Sequence, residues 1–196
     1  MSLPNAITLS RIPLMFVIAW LCYQGWLGSA SLAFWLFIAA AVGDWLDGYL
    51  ARSRGQISVF GKLMDALTDK IMVMGLVIVF VDRQAIPVAL ALITLCREFL
   101  ITGMRMVAAS KGIIVSADGG GKSKTVTQLI ALGFLLAAPM VDRDWAHFVS
   151  RDLHAFASVV RQTGQVIFWI GTALAVWSGV RYIIHHRKMV FAAAEQ

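Results

Sequence analysis

Four aspartates stand in strongly apolar sequence, and they constrain the fold of this chain more than any other feature. They are Asp44, Asp47, Asp65 and Asp69. An aspartate near the centre of a membrane helix costs roughly 3 kcal/mol on insertion scales, so these acids need compensating partners. Clustered carboxylates suit hard cations that prefer oxygen ligands, such as magnesium, manganese or calcium. The sequence therefore predicts that the acids hold divalent cations.

The spacing of the acids supports one shared site. Residues three and four apart lie on the same face of a helix, which places Asp44 and Asp47 on one stripe and Asp65 and Asp69 on another. The short linker at 53–61 allows the two helices to run antiparallel. We therefore predict that the two acidic stripes face each other.

Three further residues lie on the first stripe and suggest a phosphate-bearing ligand. Gly48 and Ala51 leave space beside the acids, where a bulky ligand can approach the backbone. Arg52 supplies a planar fork of donors that suits phosphate oxygens. Together with cations, this group would fit an anionic diphosphate.

The composition indicates a polytopic membrane protein. Hydrophobic residues make up 59% of the 196 positions and charged residues only 14%, far from the balance of a soluble domain. We predict a single all-α domain over 1–196, with six transmembrane helices and a juxtamembrane segment at 1–9. This segment is either a short interfacial helix or a simple anchor beside the membrane. The predicted spans are about 10–27, 30–52, 62–82, 85–109, 123–141 and 163–186.

Charge distribution predicts the orientation of these helices. Most of the 17 lysines and arginines fall on the side that holds both termini and the acids, so that side is predicted to face the cytoplasm. The net charge of +6 is attributed to the membrane surface, and no nucleic-acid partner is predicted. Cys22 and Cys96 lie in apolar runs and are interpreted as free thiols.

Two further segments have simpler interpretations. The first apolar run follows Arg11 and resembles a signal peptide, but its removal would delete one helix of the bundle. The segment at 142–162 carries mixed charge and is predicted to be an external loop, solvated or interfacial, without assigned chemistry. His147 and His154 within it are isolated and are not interpreted as metal ligands.

Basic residues flank the acidic stretch in two further places. Arg97 and Arg105 lie in or near the fourth predicted span, and charges there normally face a cavity. A structural ion pair with another helix remains an alternative for Arg97. Lys122 and Lys124 lie at the start of the fifth span, where a helix N-terminus with two lysines can bind an anion or simply anchor the loop.

The acidic stretch matches a longer pattern in full. It reads D-x2-D-G-x2-A-R-x8-G-x3-D-x3-D, from Asp44 to Asp69. In this respect the chain resembles the CDP-alcohol phosphotransferases, integral membrane enzymes of phospholipid synthesis. The resemblance implies two Mg²⁺ or Mn²⁺ ions held by the four acids, with Asp69 also acting as general base. It implies contact with the CDP-linked lipid, CDP-diacylglycerol, for Gly48, Ala51, Arg52, Ser58 and Gly61.

Flanking segments are similar to one branch of that family, the phosphatidylglycerophosphate synthases. These segments are P-N-x2-T-x2-R at the N-terminus, C-R-E-F-x-I-T-G-x-R from position 96 and G-K-x-K-T from position 121. The resemblance implies that the acceptor is sn-glycerol 3-phosphate and that the products are phosphatidylglycerophosphate and CMP. The residues implied to bind the acceptor are Asn5, Thr8, Arg11, Arg97, Arg105, Lys122 and Lys124. It also implies a homodimer surrounded by membrane lipids, although no sequence feature shows the dimer.

Three alternatives remain open from the sequence. A related enzyme would transfer the same lipid group to inositol phosphate, serine or another alcohol. A cation transporter would also place acids in a membrane, but its sites usually lie near the midplane between repeats, and no repeat is visible. An inert scaffold would leave the spacing of Gly48, Arg52 and Gly61 without a purpose.

Overall fold

The chain folds into a bundle of helices, seen here in a computed structural model. The backbone is described for residues 3–53, 59–110, 119–149 and 151–191, and side chains for 10–43, 68, 70–106, 125–149 and 151–185. The elements are α1 (Leu3–Tyr23), α2 (Ser29–Ser53), α3 (Val59–Asp82), α4 (Val88–Ser110), α5 (Gly119–Pro139), a π-helical segment (Met140–Trp145), α6 (Ala146–Val149) and α7 (His154–Phe191). The described residues contain no strand, which confirms the all-α prediction.

Six of these helices are long, and each overlaps one of the six predicted spans. Among the residues whose side chains are described, two segments are long and apolar enough to cross a membrane, Thr125–Val149 and His154–His185, each with a mean hydropathy of 1.5. Two shorter apolar helical segments are Ser10–Tyr23 and Ser29–Gly43. These features indicate a membrane protein.

The outer surface of the bundle is itself apolar. Phe99, Ile78 and Phe16 are 69%, 64% and 63% exposed, and many other large apolar side chains face outward in the same way. An exposed apolar surface of this extent is unfavourable in water and is typical of a surface covered by lipid.

The interior is formed mainly by α1, α2, α3, α5 and α7. Ile18, Phe37, Leu76, Leu132 and Phe168 each come from a different helix of this set, and all are at most 2% exposed. α5 and α7 approach each other closely at Gly164, where an added Cβ would lie 3.0 Å from Phe134 Cβ. Small residues allow this kind of backbone approach in membrane bundles.

The N-terminal segment differs from the prediction. α1 is continuous from Leu3 to Tyr23, so the described backbone shows no separate interfacial helix before the first span. Pro4 lies in the first turn, where its missing amide N–H costs no helical hydrogen bond. The predicted segment at 1–9 is therefore largely the start of α1.

The prediction of an external loop at 142–162 is also wrong, because most of this segment is helical. The fifth helix widens into the π-helical segment directly after Pro139, continues through α6 to Val149, and α7 begins at His154. Asp144 within it is fully buried, and its carboxylate is compensated by hydrogen bonds from amides at the start of α2. The mixed charge of this segment reflects a structural contact as well as solvation.

Candidate functional site

Hydrogen bonds fix which helix ends lie together. Tyr23 donates to Asp82 at 2.8 Å and joins the end of α1 to the end of α3, while the Gly28 amide at the start of α2 donates to Asp144 at 3.0 Å. We call the side of the bundle that holds Tyr23, Gly28, Asp82 and Asp144 the opposite end, because it lies opposite the four aspartates. Because successive long helices run in alternating directions, the end of α2 and the start of α3 lie together at the other side, which we call the aspartate end.

The four predicted acids belong to the aspartate end by backbone position. Asp44 and Asp47 lie in the second half of α2, and Asp65 and Asp69 lie in the first half of α3. Their side chains are outside the described residues, so the prediction that the two stripes face each other stays a prediction.

Most other predicted site residues also fall outside the described side chains. This group comprises Asn5, Thr8, Gly48, Ala51, Arg52, Ser58, Gly61, Lys122 and Lys124. Of the predicted site residues, the structure describes the side chains of Arg11, Arg97 and Arg105.

Arg11 lies inside the bundle. It is 5% exposed and comes from α1, which packs against α2 and α3. Thr68, the residue before Asp69 in α3, is 1% exposed. Buried polar side chains of this kind are normally hydrogen-bonded. The aspartate end therefore has buried polar side chains on both α1 and α3, and the one on α3 is next to Asp69 in the chain.

Arg97 is held by an extensive set of partners within the bundle. Its guanidinium donates to Glu98 Oε1 at 3.0 Å, to the Ala175 carbonyl oxygen at 3.0 Å and to Ser178 Oγ at 2.8 Å. The last two partners belong to α7. Although adjacent helical residues point about 100° apart, the two flexible side chains bend toward each other and form an ion pair. These contacts give Arg97 a structural role between α4 and α7, although its ion pair is with Glu98 of the same helix and not with another helix as the alternative predicts.

Arg105 has a different environment. Its guanidinium carbon lies 5.7 Å from the centre of the Tyr182 ring, a cation–π contact between α4 and α7. Its Nε is buried and has no hydrogen-bond partner among the described residues. Stacking covers one face of the guanidinium and leaves its in-plane donors for other oxygens.

Lys70 connects α3 to the basic part of α4. Its Nζ donates to Thr102 Oγ1, and Thr102 Oγ1 in turn donates to the Glu98 carbonyl oxygen at 2.7 Å. Because Lys70 directly follows Asp69, this bond places the chain at Asp69 beside the turn of α4 between Glu98 and Arg105. An acidic position of α3 and a cationic part of α4 are thus neighbours in the bundle.

No group of three or more His, Cys, Asp or Glu side chains that could hold a metal occurs among the side chains described. The four aspartates lie outside that set. As a donor set they provide carboxylate oxygens only, at helix spacings of three and four residues, and such oxygens are the ligands that Mg²⁺ and Mn²⁺ prefer. The residue types therefore fit a divalent-cation site.

Sequence reasoning missed several of these contacts. Lys70, Thr102 and Tyr182 carry the connection between α3, α4 and α7. Lys70 and Tyr182 belong to no motif, and Thr102 lies in the segment from position 96 without an assigned role. Of the three, the contact of Lys70 could have been predicted from the sequence, because a lysine next to an acid in an apolar helix requires a polar environment. Asp144 was assigned to a loop, although an acid that ends an apolar run can accept the amides of a neighbouring helix start.

Comparisons with known proteins agree with the resemblance. Residues 1–177 match the family model described as CDP-alcohol phosphatidyltransferase. A protein of Bacillus subtilis (strain 168) is 39% identical over 147 residues, which cover 69% of this chain and 76% of that protein. A protein of Haemophilus influenzae is 31% identical over 191 residues, covering 93% of this chain and 91% of the relative. Both relatives are named CDP-diacylglycerol--glycerol-3-phosphate 3-phosphatidyltransferase.

Proposed function

This chain belongs to the CDP-alcohol phosphatidyltransferase family, and we propose that it transfers the phosphatidyl group of CDP-diacylglycerol to sn-glycerol 3-phosphate. The observation that carries this proposal is the complete acidic motif, divided between the end of α2 and the start of α3. The names of the relatives in Bacillus subtilis and Haemophilus influenzae support the same pair of substrates.

The acids have two roles in this proposal. Members of the family generally depend on divalent metals, and Asp44, Asp47, Asp65 and Asp69 would hold two Mg²⁺ or Mn²⁺ ions. When bound, such ions supply positive charge that offsets the charge of the diphosphate and of the departing oxygen. Gly48, Ala51, Arg52, Ser58 and Gly61 would border the CDP part.

Asp69 is the proposed general base. The acceptor hydroxyl loses its proton to the Asp69 carboxylate as its oxygen forms a bond to the lipid-linked phosphorus. The bond from that phosphorus to the CMP oxygen breaks, and CMP leaves with the electron pair. The products are phosphatidylglycerophosphate and CMP.

The acceptor phosphate is assigned to the basic residues of the aspartate end. Of the two arginines on α4, Arg105 is the better candidate, because Arg97 already donates to Glu98, Ala175 and Ser178. Lys122 and Lys124 at the start of α5 complete the proposed phosphate site, with Asn5, Thr8 and Arg11 from α1 at its border.

Replacing the two arginines of α4 should therefore have different effects, one on substrate binding and the other on stability. We expect Arg105→Gln to raise the KM for glycerol 3-phosphate by about 10-fold or more, since hydrogen bonds to charged groups contribute about 1.5–3 kcal/mol. Arg97→Gln should instead lower the melting temperature, because it removes bonds that join α4 to α7. Steady-state kinetics with each substrate varied, together with thermal unfolding, separate the two effects. Equal KM effects for both substrates in Arg105→Gln would contradict the acceptor assignment.

The lysines at the start of α5 give a second kinetic test. The double change Lys122→Ala and Lys124→Ala should raise the KM for glycerol 3-phosphate more than the KM for CDP-diacylglycerol, because two cations are removed from the proposed phosphate site. The control is the double change Arg187→Ala and Lys188→Ala after the predicted last span, which also removes two positive charges. If acceptor kinetics stayed unchanged in the first variant, the lysines would serve only to anchor the loop.

An acceptor screen tests the proposed function as a whole. Purified protein in detergent is incubated with CDP-diacylglycerol and one acceptor at a time, with and without Mg²⁺, and CMP release is measured. We expect release with glycerol 3-phosphate and Mg²⁺, and its loss on chelation by EDTA. Release with inositol phosphate or serine alone would favour a related transferase. Cation movement across vesicles without CMP release would favour a transporter.

The proposal includes an orientation. We place six spans in the cytoplasmic membrane, with the aspartate end and both termini toward the cytoplasm, where glycerol 3-phosphate and CMP are soluble. The excess of basic residues at that end supports this placement. A homodimer is part of the proposal on family resemblance alone.

A further inference from the structure

A cleft of about 250 Å³ opens at the opposite end of the bundle. Its walls are the turn after α3, the end of α5 with the following π-helical segment, and the first two turns of α7. None of the residues proposed to act on CDP-diacylglycerol or glycerol 3-phosphate lines it. Since one water occupies about 30 Å³ of liquid, the cleft has room for a phosphate group and part of its substituent.

Two arginines line this cleft. Arg161 on α7 has no hydrogen-bond or ion-pair partner among the described residues. Arg83 is held in position, because it donates to the Cys22 carbonyl oxygen and lies 6.0 Å from the centre of the Tyr23 ring. One guanidinium is therefore fixed at the wall, and a second has its donors available.

The acid in the cleft does not neutralise these arginines. Asp142 Oδ1 lies 2.9 Å from His154 Nδ1, so that this carboxylate already has a partner. Two guanidinium groups against one carboxylate leave the cleft with an excess of positive charge. Such an excess favours an anionic ligand, and guanidinium is especially suited to phosphate.

The floor of the cleft is apolar. Phe80, Leu135 and Ala157 are 4%, 2% and 4% exposed and lie below the charged rim. Within the described part of the chain, the two segments long and apolar enough to cross a membrane, Thr125–Val149 and His154–His185, follow each other beside the cleft. The cleft therefore lies near one end of both segments, where a membrane boundary is expected. Lipid phosphates lie at this boundary, with apolar chain directly beneath them.

The cleft is also well supported. Gln165 Nε2 on α7 donates to the Ala85 carbonyl oxygen at 2.8 Å and attaches the turn after α3 to α7. That turn is closed by the Ala85 amide donating to the Phe80 carbonyl oxygen at 2.8 Å, with Gln84 at a positive φ of 56°. A wall formed this way need not be ordered by the ligand, which reduces the entropic cost of binding.

From the fixed and the unpaired arginine, the apolar floor and the position at the membrane boundary, we propose that this cleft is a second binding site, for the phosphate of an anionic phospholipid. It is separate from the proposed reaction site and faces the other leaflet. The charged rim would hold the phosphate, and the floor would contact the first carbons of the glycerol and acyl chains.

Binding of short-chain lipids to the full-length protein in detergent tests this site. Isothermal titration calorimetry is carried out with dihexanoyl phosphatidylglycerol, with dihexanoyl phosphatidylcholine and with inorganic phosphate, in saturating CDP and Mg²⁺ to occupy the proposed reaction site. The variant is Arg161→Gln, and the matched control is Arg151→Gln, an exposed arginine near the same end that does not line the cleft. Ser158→Leu, which fills the cleft and leaves its charges in place, is a second variant.

We expect phosphatidylglycerol to bind the wild type more tightly than phosphatidylcholine does. Arg161→Gln should weaken binding of phosphatidylglycerol by about 10-fold or more, Ser158→Leu should weaken it similarly, and Arg151→Gln should change it by less than about twofold. If inorganic phosphate bound as tightly as phosphatidylglycerol and with the same dependence on Arg161, the cleft would be a site for free phosphate, and the assignment to a lipid would be wrong. Equal losses in Arg161→Gln and Arg151→Gln, or binding that Ser158→Leu leaves unchanged, would overturn the proposal.

Discussion

Replacing Asp69 with asparagine is expected to abolish turnover in an ordinary assay, with a loss of about 10²–10⁴-fold in kcat. Asparagine keeps the size of the side chain but cannot accept the proton of the acceptor hydroxyl. It also removes one anionic oxygen from the proposed metal site, which adds to the loss. The measurement is CMP release from CDP-diacylglycerol at saturating glycerol 3-phosphate and Mg²⁺.

The matched control is Asp82→Asn, at the other end of the same helix. Asp82 accepts a hydrogen bond from Tyr23 at 2.8 Å and lies outside the proposed reaction site. We expect Asp82→Asn to retain most of the wild-type rate, and both variants to express at normal levels. A near-normal rate in Asp69→Asn would contradict the assignment of the base.

The change Asp144→Ala should cause the largest loss of stability among the described residues. The Asp144 carboxylate is fully buried and accepts bonds from the Gly28 amide at 3.0 Å and from the Ser31 amide and hydroxyl at 2.7 Å each. Arg143 Nε also donates to it at 3.3 Å. Removing the carboxylate leaves the Gly28 and Ser31 amides without their acceptor and removes the ion pair with Arg143, which keeps its bonds to Gln24 and Ser29, at a cost of about 3–5 kcal/mol.

A loss of this size corresponds to a fall of roughly 10 °C in melting temperature for a chain of this length. Thermal unfolding of the purified protein, followed by circular dichroism, measures it. Asp152→Ala is the control, because Asp152 caps α7 with one exposed bond to the His154 amide at 2.9 Å and should cost only about 1 kcal/mol. Equal melting temperatures for the two variants would show that Asp144 does not fix the start of α2.

The helices were predictable because their apolar runs have the length of a membrane span. Their ends were less predictable, since they depend on contacts with other elements or on caps. α7 was expected from about position 163 but begins at His154, where Asp152 accepts the first amide. The fifth helix extends past its predicted end because Asp144 and Arg143 find partners on the segment that joins α1 to α2.

The motif residues were predictable from spacing, whereas their neighbours were not. A fixed pattern of aspartate, glycine and arginine indicates chemistry without any knowledge of packing. The partners of Arg97 on α7 lie 78 and 81 residues away in the chain, and no local sequence pattern predicts contacts over that separation. The same holds for Tyr182 beneath Arg105. The structure therefore separates two arginines that the sequence had treated alike.

Counting bound Mn²⁺ by electron paramagnetic resonance tests most directly whether α2 and α3 share one cation site. In the presence of CDP-diacylglycerol we expect two ions per chain, with the broadened signal of neighbouring spins, since paired metals in such enzymes lie roughly 3.5–4 Å apart. Asp47→Asn on α2 and Asp65→Asn on α3 should each weaken binding and remove the broadening. Two independent, unbroadened ions, or an α3 variant that binds Mn²⁺ as the wild type does, would contradict this account.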